Sequence, residues 1–162
     1  MSRSTLTVCF ISMVVILTYT FDVHPSTAPS SSRSYPKVTQ RMSEQGKARK
    51  LFEYARSENR NLRWDPCLAR KAVGRAKKML ETGYFDHKDP DTGRNPAWRM
   101  VTACHKCTYA GENLSKGDEP AESIHQALMD SPTHRKNILN SKFRLLGVGC
   151  YEDICVELFA GL

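Results

Sequence analysis

The stretch Phe143-Arg144-Leu145-Leu146-Gly147-Val148-Gly149-Cys150-Tyr151-Glu152-Asp153-Ile154-Cys155-Val156-Glu157-Leu158-Phe159 holds two apolar runs around a short polar break. Phe143 to Cys150 and Ile154 to Phe159 have the β-branched, aromatic and aliphatic composition of strands. With Glu152-Asp153 as a two-residue turn, Cys150 and Cys155 stand directly opposite each other. In that register they form a non-hydrogen-bonded pair, where side chains approach most closely. A disulfide between them is expected.

Helical signals occupy the sequence before this hairpin. A first helix is expected from about Gln45 to Asn59, with Leu51, Phe52 and Ala55 turned inward. Asp65-Pro66 is a capping residue followed by proline at the first helical position. It opens a second helix to about Thr82, ended by Gly83. Leu68, Ala72, Arg75 and Met79 form its inner stripe at spacings of four, three and four. An arginine in the middle of an apolar stripe is unusual. Asn95-Pro96, Pro120 and Ser131-Pro132 open three shorter helices. Any further strand must lie in the loops near residues 108–115. Helices first and an antiparallel pair last make an α+β domain, layered as helix, sheet and helix. No internal repeat is visible, and Trp64 and Trp98 are expected in the core.

The N-terminal part has a different character. Arg3 precedes an uncharged run from Ser4 to Phe21, apolar from Leu6 to Leu17. That is the pattern of a signal peptide, or of an N-terminal membrane anchor, over residues 1–22. Either reading exports the remainder to an extracellular or cell-surface location. Residues 23–45 are rich in Ser, Pro and Thr, a linker composition with too little apolar surface to fold. Residues 46–162 then form the domain.

The chain has 162 residues, 40% of them hydrophobic and 25% charged, enough for one globular domain and an extension. Its net charge of +7 lies beyond residue 32, because residues 1–32 carry only Arg3 and Asp22. A basic surface favours anionic partners. No nucleic-acid-binding module is spelled out and the basic residues are spread along the chain, so no specific nucleic acid is expected. Five cysteines follow the export segment, and an exported location permits disulfides. Cys104 and Cys107 close on each other, or one of them pairs with Cys67; every scheme leaves an odd thiol.

Three polar motifs carry the candidate chemistry. They are Tyr84-Phe85-Asp86-His87, Gly111-Glu112-Asn113-Leu114 and Ser131-Pro132-Thr133-His134-Arg135-Lys136-Asn137-Ile138-Leu139. Two imidazoles and a carboxylate are metal-ligand and acid–base types. His134 falls in the first turn of its helix, where the dipole keeps the ring neutral. His105 and His125 are expected at the surface.

In order along the chain, these motifs resemble the CAP superfamily (cysteine-rich secretory, antigen 5, pathogenesis-related 1) in its bacterial SCP form. The resemblance covers residues 48 to 160. It rests on Leu62-Arg63-Trp64-Asp65-Pro66 with Leu68, Gly83 to His87, Ala110 to Leu114, Ser131 to Leu139, and Gly147-Val148-Gly149. It implies an α-β-α sandwich with a small antiparallel sheet and a shallow cleft that can hold a divalent metal such as zinc. By motif, His87, Glu112 and His134 are the implied metal and candidate catalytic residues, with Asp130 as the second acid. A helix position that is often histidine in bacterial relatives is Arg75 here, expected to pair with Glu112 or Asp86.

Two functions follow from that resemblance. One is an extracellular binding module for lipid, cell-wall polymer or protein. The other is a metal-dependent hydrolase of peptide or wall substrates. The sequence has no His-Glu-x-x-His, no evident dedicated base and no serine nucleophile elbow.

Overall fold

The computed structural model describes residues 42–162, so the expected export segment and all but the last few residues of the expected linker lie outside the described residues. Nine elements follow in order. They are α1 (Glu44–Glu58), β1 (Arg63–Trp64), α2 (Pro66–Glu81), α3 (Ala97–Thr102), β2 (Tyr109–Lys116), α4 (Ala121–Asp130), α5 (Pro132–Ile138), β3 (Leu145–Tyr151) and β4 (Ile154–Gly161). The four strands form one sheet in the order β1-β3-β4-β2. β1 runs parallel to β3, and the other two pairings are antiparallel.

Local chemistry sets the helix ends. Ser43 caps α1 by accepting from the Gly46 N–H, and Asp65 caps α2 by accepting from the Leu68 N–H at 2.8 Å. Gly83 follows α2 with φ of 70°, the left-handed conformation that ends a helix with least strain on glycine.

The hairpin forms as expected, with Tyr151 opposite Ile154 across the turn and Cys150 bonded to Cys155. Strand alternation then divides the core. Leu146, Val148, Cys150, Cys155 and Phe159 face α1 and α4, while Ile154, Val156, Leu158 and Ala160 face α2 and α3. This is the helix–sheet–helix sandwich. Gly147 and Gly149 allow α2 to lie directly on β3. A Cβ at Gly147 would stand 2.2 Å from the Ala69 nitrogen, and one at Gly149 would stand 2.3 Å from the Val73 nitrogen.

Several expectations need correction. Trp98 is 54% exposed, because the inner face of the short α3 is taken by Ala97 and Val101. Trp64 is partly buried and packs edge-on against Phe52 at 5.4 Å. His125 is 8% exposed rather than at the surface. It shares the inward face of α4 with Ala121, Ile124 and Leu128, and stacks on Tyr54. His105 is half-buried and bonds through Nε2 to the Asp65 carboxylate at 2.8 Å. Cys67 pairs with Cys104, which leaves Cys107 as the odd thiol among the described residues. β1 is a further strand that two residues of sequence do not announce.

Candidate functional site

The site is organised by a buried ion pair. The helical phase that buries Leu68, Ala72 and Met79 also buries Arg75. Its guanidinium therefore has to find partners inside the protein. Nε faces Glu112 Oε2 at 3.2 Å, and Nη2 donates to the Asp86 and His87 carbonyls at 2.7 and 3.2 Å. Nη1 donates to the Tyr84 hydroxyl. Of the two expected partners, Glu112 supplies its carboxylate and Asp86 only its backbone. Arg75 thus fastens the Tyr84–His87 loop to the sheet.

Glu112 lies on β2, and its side chain is fully enclosed. While Oε2 meets Arg75, Oε1 lies 2.9 Å from His87 Nδ1. That contact fixes the imidazole and leaves Nε2 as its outward nitrogen. The His87 side chain is 44% exposed. His134, half-buried on α5, has its ring centre 6.3 Å from that of His87. Burial lowers the His134 pKa below its ordinary value, and the neighbouring His87 charge adds to that. Both effects favour the neutral ring, the expected direction, with burial rather than the helix end as the larger cause.

Two asparagines from the same motifs hold the parts in place. Asn113 donates to the His134 carbonyl at 3.2 Å and to Glu157 Oε2 at 2.9 Å. Asn137 donates to the Glu112 carbonyl and to Asn113 Oδ1. Gly111 admits the Phe143 ring, which a Cβ would meet at 2.8 Å. Sequence reasoning singled out the histidines and Glu112 but gave no role to Tyr84, Asn113, Asn137 or Glu157. Their only signal was position: three lie within the motifs, and Glu157 is a charged residue inside an apolar strand.

The structure brings His87, Glu112 and His134 into one neighbourhood and leaves Asp130 apart. Asp130 is exposed at the end of α4 and accepts from Gln126 of the same helix at 2.9 Å. Among the described residues, no group of three or more His, Cys, Asp or Glu side chains is arranged to hold a metal ion. The donor chemistry gives the reason. Both Glu112 oxygens are engaged, one by a guanidinium and one by His87. Two imidazoles are left, one short of the three protein ligands usual for catalytic zinc. In this arrangement the residues do not fit such a centre.

The family model for the cysteine-rich secretory protein family, CAP, matches residues 46–155. The chain belongs to the CAP family. It is 33% identical over 143 residues to the uncharacterized protein YkwD of Bacillus subtilis, covering 84% of this chain and 51% of that protein. It is 32% identical over 88 residues to the uncharacterized membrane protein YlbC of the same organism, covering 54% and 25%. The chain thus spans about half or less of the length of these curated relatives. Among solved structures, an extracellular SCP-domain protein of Bacillus anthracis superposes with a TM-score of 0.63 at 31% identity, covering 74% of this chain and 41% of that one. An outer surface protein of Borrelia burgdorferi shares the CAP fold at a TM-score of 0.62 and 22% identity, covering 74% and 96%.

Proposed function

We propose that this CAP-domain protein is exported and works outside the cytoplasm as a binding module. Its His87–His134 surface recognises an extracellular ligand: a cell-wall polymer, a lipid or a protein. The observation that carries this reading is the engagement of both Glu112 oxygens inside the protein. A fully enclosed carboxylate bonded to Arg75 and His87 is a positioning group with no oxygen left to activate water. His87, by contrast, is held by Glu112 through Nδ1, and His134 lies half-buried beside it, a pair that suits recognition of hydroxyl or amide groups. Two disulfides agree with an oxidising compartment. Solved relatives described as an extracellular and an outer surface protein support the location.

The test compares the wild-type chain with His87→Ala and His134→Ala. Binding to purified wall sacculi, lipid vesicles and secreted proteins is measured alongside calorimetric zinc titration and peptide or peptidoglycan hydrolysis. The expected result is retention of one ligand class, weakened at least about tenfold by either substitution (about 1.4 kcal/mol), without turnover. Zinc-dependent turnover abolished by His87→Ala would replace this reading with a hydrolase.

A further inference from the structure

A second surface, separate from the histidines, runs over the outer face of α2. Two depressions meet there at Arg70. One, of about 450 Å³, lies between α1 and α2, with Arg49 and Arg70 around apolar side chains that include Trp64 and Val73. The other, of about 370 Å³, lies between α2 and α3, with Arg70, Lys71, Gly74, Lys78 and Arg99 around it.

The charges along this path are not balanced. α2 has Arg70, Lys71, Arg75, Lys77 and Lys78 against the single acid Glu81. Arg75 is spent on Glu112, and Lys77 faces Glu81 at 3.6 Å. Lys78 is spent on Asp89 and Asp91 at 2.6 and 3.2 Å. Asp89, the acid in the second depression, is consumed by Lys78 and by the Asp91 and Thr92 N–H groups. Glu44, the acid in the first, accepts from the Glu152 N–H. Among the described residues, Arg70, Lys71 and Arg99 have no side-chain acceptor and no acidic partner, and Arg49 has only the face of Trp64, at 3.8 Å. Four cations without an ion-pair partner among the described residues therefore line one path, with Glu44 in the first depression as an acid bonded only to a backbone N–H. Like charges gathered on one face repel each other, and an anion relieves that repulsion.

Gly74 is an independent sign. It sits mid-helix on the exposed face of α2, where glycine costs about 1 kcal/mol relative to alanine. No neighbour requires it, since an added Cβ would meet nothing within 4 Å. Its effect is to leave the floor of the second depression bare between Lys71 and Lys78.

We propose that this face binds an anionic phosphodiester polymer of the extracellular space. A single phosphate engages one part of the path. Cations in two depressions on either side of a helix about 10 Å wide match repeated phosphates. The apolar lining of the first depression fits the carbon-rich units between them. The inference rests on the export reading, and its ligand is additional to the one recognised at the histidines, which it does not involve.

The experiment titrates the purified chain with synthetic oligo(glycerol phosphate) at several salt concentrations. Wild type is expected to bind, with affinity falling steeply as salt rises. Arg70→Glu with Lys71→Glu should weaken binding at least tenfold and flatten the salt dependence. Arg60→Glu, away from the path, should change it less than threefold. Gly74→Leu should keep or raise the melting temperature while weakening binding, a combination that damage to the fold cannot produce. His87→Ala and His134→Ala should bind this probe like wild type, so failure of the α2 face and failure of the histidine site are read separately. The proposal is overturned if the polymer does not bind at low salt or if Arg60→Glu weakens it equally. Full competition by millimolar inorganic phosphate, or binding only to phosphatidylglycerol vesicles, overturns it in favour of a simple anion site or a membrane surface.

Discussion

Glu157→Gln should make the protein more stable, and more so as pH rises. Glu157 lies in the middle of β4, 2% exposed, on the face directed at α1, α4 and α5. Oε2 accepts from Asn113 at 2.9 Å, and Oε1 has no partner among the described residues. Burial pushes the carboxyl from its ordinary 4.5 up to about 7, against the opposing pull of the Asn113 hydrogen bond. The unfolded chain releases this proton near pH 4.5, while the folded protein keeps it until near pH 7. Stability therefore falls as pH rises through that window and stays reduced above it. At 1.36 kcal/mol per pH unit, the displacement from 4.5 to 7 corresponds to about 3 kcal/mol. Glutamine has the same shape, keeps an acceptor for Asn113 and does not titrate. Thermal unfolding without reductant, followed by circular dichroism from about pH 4.5 to 8, should show the variant gaining on wild type by about 10 °C across the range. Taking the difference between the two proteins cancels every contribution common to both. Parallel melting curves over the whole range would refute the reasoning, since they would mean that Glu157 ionises in the folded protein as easily as in water.

Three further outcomes are expected. Arg75→Met leaves Glu112 as an enclosed carboxylate without its cation and should cost about 3–5 kcal/mol in urea unfolding; Arg75→Met with Glu112→Gln should recover most of it, and a single-variant loss below about 1 kcal/mol would contradict the buried pair. Converting both members of a disulfide to serine should cost more for Cys67–Cys104, 37 residues apart, than for Cys150–Cys155, five apart. Loop closure gives about 4 against about 2 kcal/mol, and calorimetry showing the reverse order would count against it. Gly147→Ala should disrupt folding because its Cβ would strike the α2 backbone, whereas Gly74→Ala should stabilise by about 1 kcal/mol; similar melting temperatures for the two would undo the packing argument.

Much of the fold was legible because its signals are local. Asp65-Pro66 begins a helix through its own cap and ring geometry, and Gly83 ends it through its own φ. The Cys150–Cys155 bridge follows from a two-residue turn, which places the cysteines opposite each other without help from the rest of the chain. Errors arose where a residue's surroundings come from distant segments. His125 looked like a surface residue until the phase of α4 against α1 buried it beside Tyr54. Trp98 looked like core by its size, yet a helix of six residues has too little inner face to cover it. Cys104 pairs with a cysteine 37 residues away rather than three, a choice made by the packing of α2 and α3.

The candidate site divides in the same way. The motifs, through the family resemblance they carry, placed His87, Glu112 and His134 in one region, and helical spacing by itself put Arg75 on a buried stripe. Only the tertiary structure decided what Glu112 does there. Its two oxygens face Arg75 from α2 and His87 from the following loop, contacts spanning 37 and 25 residues. Sequence periodicity shows which face of an element is buried. It does not show which charge from another element will be enclosed with it, and for a carboxylate removed from water that partner determines whether it binds, reacts or only holds its neighbours in place.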